Sequence, residues 1–390
     1  MRRPARKVKG LGRRARRGGR PHGKALVGRE ERFIAWRAAV PRPMIHPAAD
    51  IHPLWEAPMK RLTLGLAVLA MLAFSVPSTA AVSRLIVFGD SLVDSGNAQI
   101  GAIGLGLPDP APAAAGYFQG RFSNGLNFAD DMSLLLFGAP ATPYLLGGIN
   151  LGVGGAEAAF QPGEISPSFL PQLSLFQGLG QPIGSNDLVL VTFGGNDVRA
   201  VLTDLGPVDF TPTLTAFADG LTALLGAGAK HIVVTGIADI GALPSTRAFG
   251  NPLIEATATA RTVALNSAIE ALTISLSQFS GEKVEFYDLF AQEQALRANP
   301  AAYGLTNLTD TCQSGGPAAV LGGCVGYLYF DGIHPTTQVH ALISEGILDQ
   351  LAVPEPATWL LMVAGFGLAG ASMRRRSTTM RFALAPAMAQ

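Results

Sequence analysis

The chain reads as an α/β protein: a parallel sheet between two layers of helices, a three-layer α/β/α sandwich. Three observations predict it. Short β-rich apolar runs recur between residues 85 and 287, and their apolarity is continuous rather than alternating, as strands covered on both faces require. Helical stripes of apolar residues separate these runs. Several of the runs end in a cluster of glycine and polar residues, which gathers those clusters at the carboxyl ends of the strands, where open α/β sheets bind ligands.

Taken in order, Leu85-Ile-Val-Phe88 is the first strand and leads into Gly89-Asp90-Ser91. A shorter run around Ile149 leads into Gly152-Val-Gly154-Gly155, and Leu188-Val-Leu-Val-Thr-Phe193 leads into Gly194-Gly-Asn196-Asp197. His231-Ile-Val-Val-Thr-Gly236 and Val284-Glu-Phe-Tyr287 are two further strands. Between them, Leu214, Phe217, Leu221 and Leu224 make a helical stripe that stops at Gly226. Asn251-Pro252 caps a longer helix carrying Ile269, Leu272 and Leu276 inward, since proline at the first helical position forfeits no hydrogen bond. Pro335 is expected to start the last helix, with Val339, Leu342, Ile343 and Ile347 on its buried face. Residues 101–116 and 162–184 are rich in Gly and Pro and read as loops.

Charge divides the chain unequally. Over 390 residues the net charge is +1, yet residues 1–58 hold 15 of the 29 Lys+Arg and only 4 of the 28 Asp+Glu. A run such as Arg13-Arg-Ala-Arg-Arg-Gly-Gly-Arg20 has the composition of a nucleic-acid arm. The residues downstream of it favour a plainer reading. Met59-Lys60-Arg61 opens a secretory signal: a basic start, the apolar residues 62–76, then Pro77-Ser78-Thr79-Ala80-Ala81 with small residues at the cut. Such a signal acts at an N-terminus, so residues 1–58 are read as a mis-called extension, residues 59–81 as the signal peptide, and no nucleic-acid partner is expected. Residues 82–351 then form one domain, large enough to bury a core. In an exported chain Cys312 and Cys324 are expected to pair as a disulfide, and two cysteines without nearby histidines do not make a zinc site.

The chemistry lies in Phe88-Gly-Asp-Ser-Leu-Val-Asp-Ser-Gly-Asn97 and, far downstream, Asp331-Gly-Ile-His334. The first sets Ser91 at the exit of an apolar strand. A serine hydroxyl is a weak nucleophile until an imidazole takes its proton and a carboxylate fixes the imidazole tautomer. The i, i+3 spacing of Asp331 and His334 delivers both partners from one turn of chain. Beyond Ala80 the only other histidines are His231 and His340, and both read as structural. Donors for a developing oxyanion are sought in the backbone N–H of Ser91, the backbone N–H of Gly155 and the side chain of Asn196. Asp94 reads as a brace for the turn. There is no Gly-x-Ser-x-Gly elbow, metal motif, dinucleotide loop or P-loop, and no cofactor is expected.

Four blocks carry a resemblance to the GDSL esterase/lipase family, also called SGNH hydrolases. They are residues 88–97, Asn150-Leu-Gly-Val-Gly-Gly-Ala156, Gly194-Gly-Asn196-Asp197 and Phe330-Asp-Gly-Ile-His-Pro335, in family order. Gly120-Arg-Phe-Ser-Asn-Gly125 is similar to a stretch common in longer members. The resemblance runs from about Leu85 to Gln350. It implies the SGNH hydrolase fold with a flavodoxin-like sheet, Ser91, Asp331 and His334 as the catalytic set, and Ser91, Gly155 and Asn196 as the oxyanion hole. The expected activity is hydrolysis of a carboxylic ester: a small ester, a lipid or an O-acylated polysaccharide. A catalytically silent surface or matrix protein and an acyltransferase are rival readings on the same fold.

The segment Val353-Pro-Glu-Pro-Ala, a mostly apolar run to Met373 and the cluster Arg374-Arg-Arg376 together resemble the PEP-CTERM sorting signal of bacteria, with residues 377–390 as a short tail. The resemblance implies passage through a Sec translocon, recognition by an exosortase-type enzyme and residence at the cell envelope, surface or matrix. The apolar run is slightly short of the roughly 20 residues of a standard membrane helix, and the arginines suit a cytoplasmic stop. It is therefore also read as a membrane segment.

Overall fold

The structure is a computed structural model that describes residues 82–352. The expected extension, the signal peptide, nearly all of the sorting segment and the tail lie outside the described residues. Among the described residues no helix is long and apolar enough to cross a membrane.

Strands β1 (Leu85–Gly89), β2 (Leu188–Thr192), β3 (His231–Thr235) and β4 (Lys283–Tyr287) pair side by side and all in parallel. Every residue of β1 and β2 is buried, which accounts for the unbroken apolar runs. The run around Ile149 forms no regular strand, correcting the sequence reading. It still lies parallel to β1, with Val87 N–H donating to Ile149 O, Leu151 N–H to Val87 O and Val153 N–H to Gly89 O. The spatial order, from residues 149–153 through β1 to β4, is that of a flavodoxin-like sheet whose direction of growth reverses between β1 and β2. Ligands of such sheets sit beyond the strand ends at that reversal.

Helices α1 (Asn97–Gly104), α2 (Phe128–Phe137), α3 (Phe169–Gly178), α4 (Gly195–Ala200), α5 (Thr211–Gly226), α6 (Pro252–Ser280), α7 (Leu289–Ala298) and α8 (Thr337–Ala352) complete the layers. On one face α3 packs on β1 and α5, α5 on α6, and α6 on β4, while α2 and α8 pack together elsewhere. The stripe expected on α5 is largely buried, through Phe217, Leu221 and Leu224. Asn251 caps α6 by accepting a hydrogen bond from Leu253 N–H, and Ile269 is fully buried, whereas Leu272 and Leu276 are only partly so.

Two boundaries differ from expectation. The Gly/Pro-rich stretch 162–184 contains α3, whose Phe169, Leu173 and Phe176 are buried at helical spacing. Phe169 is the hub of an aromatic cluster, with ring centroids 6.0 Å from Phe88, 5.1 Å from Phe193 and 6.3 Å from Phe217. The last helix starts at Thr337, two residues after Pro335, because Pro335 forms a bridge with Tyr329 and Thr336 N–H donates to Leu328 O. Val339, Ile343 and Ile347 are buried as expected, whereas Leu342 is only partly so.

A small parallel pair, β5 (Asn307–Thr311) and β6 (Tyr327–Tyr329), precedes α8. Cys312 and Cys324 are bonded beside it and pack with Phe330 in a separate apolar cluster flanked by Tyr117 and Val320. The closed loop spans 12 residues of sequence, and a loop of that size restricts the unfolded chain by about 3 kcal/mol on the chain-entropy account.

Candidate active site

The end of β1 is held in a frame that fixes the path of the serine turn. In a regular ladder Gly89 N–H would bond to the edge segment beside it. Here it donates instead to Gln172 Oε1 of α3 at 2.9 Å, and Gln172 Nε2 donates to Gly89 O and Pro167 O, each at 2.8 Å. Gln172 is fully buried, so its amide serves as a missing rung of the sheet. A Cβ on Gly89 would lie 2.7 Å from Thr192 O, so the chain turns into Asp90 and Ser91 only through glycine.

Beyond that turn the carboxylate of Asp94 accepts hydrogen bonds from the N–H groups of Gly96, Asn97, Ala98 and Gly154. It ties the serine turn to the glycine-rich segment from the sheet edge. Asn97 Nδ2 donates to Asn150 O and Gly152 O, and Asn150 Nδ2 donates to Val93 O and Ser95 Oγ. Arg121 pairs with the buried Asp130, which also accepts from Ser95 Oγ, so the Gly120–Gly125 stretch is welded to the same network. Burial lifts the Asp94 carboxyl to about 6, against the pull of its four backbone donors.

Ser91, in this frame, meets His334 across 243 residues of sequence: Nε2 of the imidazole lies 2.8 Å from Oγ. His334 Nδ1 lies 2.8 Å from Asp331 Oδ2 and 3.0 Å from Oδ1. Asp331 Oδ1 accepts from the backbone N–H groups of Ile333 and His334, and Tyr117 OH donates to Oδ2 at 2.8 Å. All three sequence-singled groups are nearly buried. Burial pushes the Asp331 carboxyl up, but the charge of His334 and the hydrogen bonds from His334 and Ile333 outweigh it and hold the group at about 2. It is a carboxylate over the whole range in which proteins work. Tyr117, raised by burial and by the charge of Asp331, stays a donor over the same range. Phe122 lies against the other side of the imidazole, with ring centroids 5.2 Å apart. Such a chain lets the imidazole take the serine proton while its own orientation is fixed.

Of the three donors expected from the sequence, Ser91 N–H belongs to the serine itself, and Asn196 shares the serine's cavity and reaches Ala156, the residue after Gly155. Asn196 opens α4 just past β2 and lines the same cavity as Ser91 and His334. Its Nδ2 donates to Ala156 O at 2.9 Å, which places Asn196 beside the residue following Gly155, and its Oδ1 accepts from Arg199 at 3.0 Å. Gly155 has φ +83°, a left-handed conformation that glycine adopts without strain. Among the described residues the backbone N–H groups of Ser91 and Gly155 make no hydrogen bond.

The other two histidines lie away from this chain. His340 is buried and its Nδ1 accepts from Phe128 N–H, and burial, assisted by the charge of His334, lowers it to about 3. His231 opens β3 and lies 2.6 Å from Glu285. Asp90, beside Ser91, is buried, and burial raises it to about 7 despite its bond from Leu92 N–H and the charges of His334 and Arg199. Among the described residues no cluster of three or more His, Cys, Asp and Glu is placed to hold a metal ion.

Sequence reasoning missed Tyr117, Phe122, Gln172 and Arg199. Arg199 follows Asn196 by three residues on a helix, a spacing that announces contact. Tyr117 and Gln172 arrive from distant segments and carry no local signal, whereas Phe122 lies in the Gly120–Gly125 stretch already set apart by its resemblance.

Comparison with known proteins agrees with this architecture. Residues 85–347, two thirds of the chain, match the model of the GDSL-like Lipase/Acylhydrolase family, and residues 352–376 match the PEP-CTERM protein-sorting motif. The chain is 28% identical over 342 residues to the GDSL esterase/lipase At4g28780 of Arabidopsis thaliana, covering 72% of this chain and 90% of that protein. It is 28% identical over 324 residues to the GDSL esterase/lipase LTL1 of the same plant, covering 67% and 85%. The chain therefore belongs to the GDSL-like lipase/acylhydrolase family and is an ester-bond hydrolase that carries a bacterial sorting motif for the cell envelope or surface.

Proposed function

We propose that the protein is an exported carboxylic-ester hydrolase working through an acyl-Ser91 intermediate. The observation that carries this reading is the continuous Asp331–His334–Ser91 chain, with 2.8 Å at each of its two links. Ser91 Oγ attacks the ester carbonyl while His334 Nε2 takes its proton, and Asp331 stabilises the imidazolium. The oxygen of the tetrahedral intermediate is met by the N–H groups of Ser91 and Gly155 and by Asn196 Nδ2, which turns from Ala156 O. His334 then gives its proton to the leaving alcohol oxygen. In the second half-reaction the imidazole takes a proton from water, the hydroxide oxygen attacks the acyl carbon, and Ser91 recovers its proton as the acid leaves.

The domain organisation we infer is a secretory signal in residues 59–81, the catalytic domain in residues 82–351, and a sorting segment in residues 352–376 that an exosortase-type enzyme recognises. Residues 1–58 lie outside the working protein in this reading, and residues 377–390 are a short tail. Substrates then come from the envelope, the matrix or the medium.

The test is Ser91→Ala assayed on p-nitrophenyl acetate. Turnover should fall by several orders of magnitude with thermal stability retained, since removal of one member of such a set costs nearly as much as removal of all. A folded variant with near wild-type turnover would overturn the assignment.

A further inference from the structure

An amide side chain has two ends of opposite polarity, and only one of them can serve an oxyanion. With Oδ1 aimed at the serine, Asn196 would repel the charge it has to meet. Two contacts decide its orientation. Nδ2 donates to Ala156 O at 2.9 Å, and Oδ1 accepts from Arg199 Nη1 at 3.0 Å. A guanidinium carries donors only, so the end of the amide that faces it has to be the oxygen.

Arg199 follows Asn196 by three residues on α4, is partly buried, and lines the cavity that holds Ser91, Asn196 and His334. Asp90 and Asp331 act on its charge, yet among the described residues its side chain makes a hydrogen bond to Asn196 alone. The helix itself is fastened by other groups. Asp197 accepts from Ala158 N–H and from Thr213 Oγ1, each at 2.9 Å, and Val198 is fully buried. Arg199 thus fixes a side chain and not the helix that carries it.

We propose that Arg199 is a positioning residue for the oxyanion donor. The proposal rests on the reading of Asn196 as that donor. When the tetrahedral oxygen forms, Nδ2 leaves Ala156 O to meet it, and one of the two orienting contacts is gone. The guanidinium keeps hold of Oδ1, so the amide pivots about a fixed end and presents its N–H without turning over. Its positive charge also draws electron density toward Oδ1, which makes Nδ2 a stronger donor while the charge develops. Help that arises only in the transition state belongs in kcat and leaves KM alone.

The test is a double-mutant cycle on p-nitrophenyl acetate, comparing wild type, Arg199→Met, Asn196→Ala and the pair. Methionine keeps much of the stem and removes the donor. Arg199→Met should lower kcat roughly tenfold with the melting temperature retained, the loss expected for a hydrogen bond to a charged group. In the Asn196→Ala background the same substitution should change kcat by less than about twofold, because the side chain it orients is absent. Arg199→Ala, which leaves a gap instead of a differently shaped side chain, repeats the cycle as a second variant and should give the same pattern. Equal losses in both backgrounds would overturn the proposal and leave Asn196 as a donor, since Arg199 would then act on the oxyanion or the His334 pair directly. Unchanged kcat in both folded variants, or a loss confined to KM, would overturn it as well. Unchanged kcat in Asn196→Ala would instead remove the donor reading, and the proposal with it.

Discussion

Gln172→Leu is expected to unfasten the end of β1 and with it the serine turn. The substitution keeps the approximate volume of the side chain and removes all three of its hydrogen bonds, from Gly89 N–H and to Gly89 O and Pro167 O. The losses are unequal. Gly89 O keeps the bond from Val153 N–H, and Pro167 O is an acceptor, which proteins leave unpaired more readily than a donor. Gly89 N–H is left with no partner in a buried place. An orphaned buried donor costs about 1–3 kcal/mol, and with Pro167 O the total comes to about 3 kcal/mol. For a domain of this size that is a fall in melting temperature of about 6–12 °C. Ser91 lies two residues on, so turnover of p-nitrophenyl acetate by the remaining folded protein should drop roughly 10- to 100-fold. Gln172→Glu separates the two halves of the amide: it keeps an acceptor for Gly89 N–H but turns a carboxylate toward two carbonyl oxygens. Burial and those carbonyls raise its folded pKa, so its stability should be highest in acid and decline as pH rises through that value. Differential scanning calorimetry of both variants between pH 4 and 8, alongside the esterase assay, checks the scheme. A Leu variant melting within about 2 °C of wild type would refute the view that this amide substitutes for a rung of the sheet.

Three further outcomes are expected. Asn196→Ala should lower kcat by roughly 100-fold or more with little change in KM, because an oxyanion donor acts when charge develops; a change in KM alone would make Asn196 a substrate-positioning residue instead. Tyr117→Phe removes one of the donors to Asp331, and a hydrogen bond to a charged group is worth about 1.5–3 kcal/mol, so kcat/KM should fall about tenfold while His334 and Ile333 keep the carboxylate in place; unchanged kinetics would show that the imidazole is oriented without it. Asp90 has a folded pKa raised to about 7, so its contribution to stability is full below the ordinary carboxylate range and is lost as pH rises toward 7; Asp90→Asn, which can still accept from Leu92 N–H, should gain stability on wild type between pH 4 and 8, and a constant difference across that range would refute the burial argument.

What could be read from the sequence and what could not divide along physical lines. β1 and β2 were legible because five consecutive buried residues leave an unbroken apolar run that nothing else of that length imitates. Asp331 and His334 were legible because three residues of spacing make their contact a local matter. α3 was hidden: Pro162, Gly163 and Pro167 before it, Pro171 inside its first turn and Gly178 and Gly180 at its end conceal the stripe of Phe169, Leu173 and Phe176. The edge segment at Ile149 has strand-like apolarity, but it makes only one isolated bridge with β1 before its glycines, so a real pairing exists without a regular strand. Tyr117 reaches Asp331 over 214 residues from a loop whose composition announces nothing. Such contacts are products of the assembled fold, and only local spacing leaves a mark in sequence.

The order of the parts along the chain has a consequence under the proposed export, in which the chain crosses a membrane from its N-terminus onward. Ser91 belongs to the turn after the first strand and emerges early, whereas Asp331 and His334 come 240 and 243 residues later, just ahead of the final helix. In that proposal the chain carries Ser91 through most of its synthesis and export without His334 to activate it. The base and the sorting motif, which begins at residue 352, occupy the same last stretch. A polypeptide cut short before that stretch is both inert and unaddressed, and one long enough to be delivered is long enough to be armed.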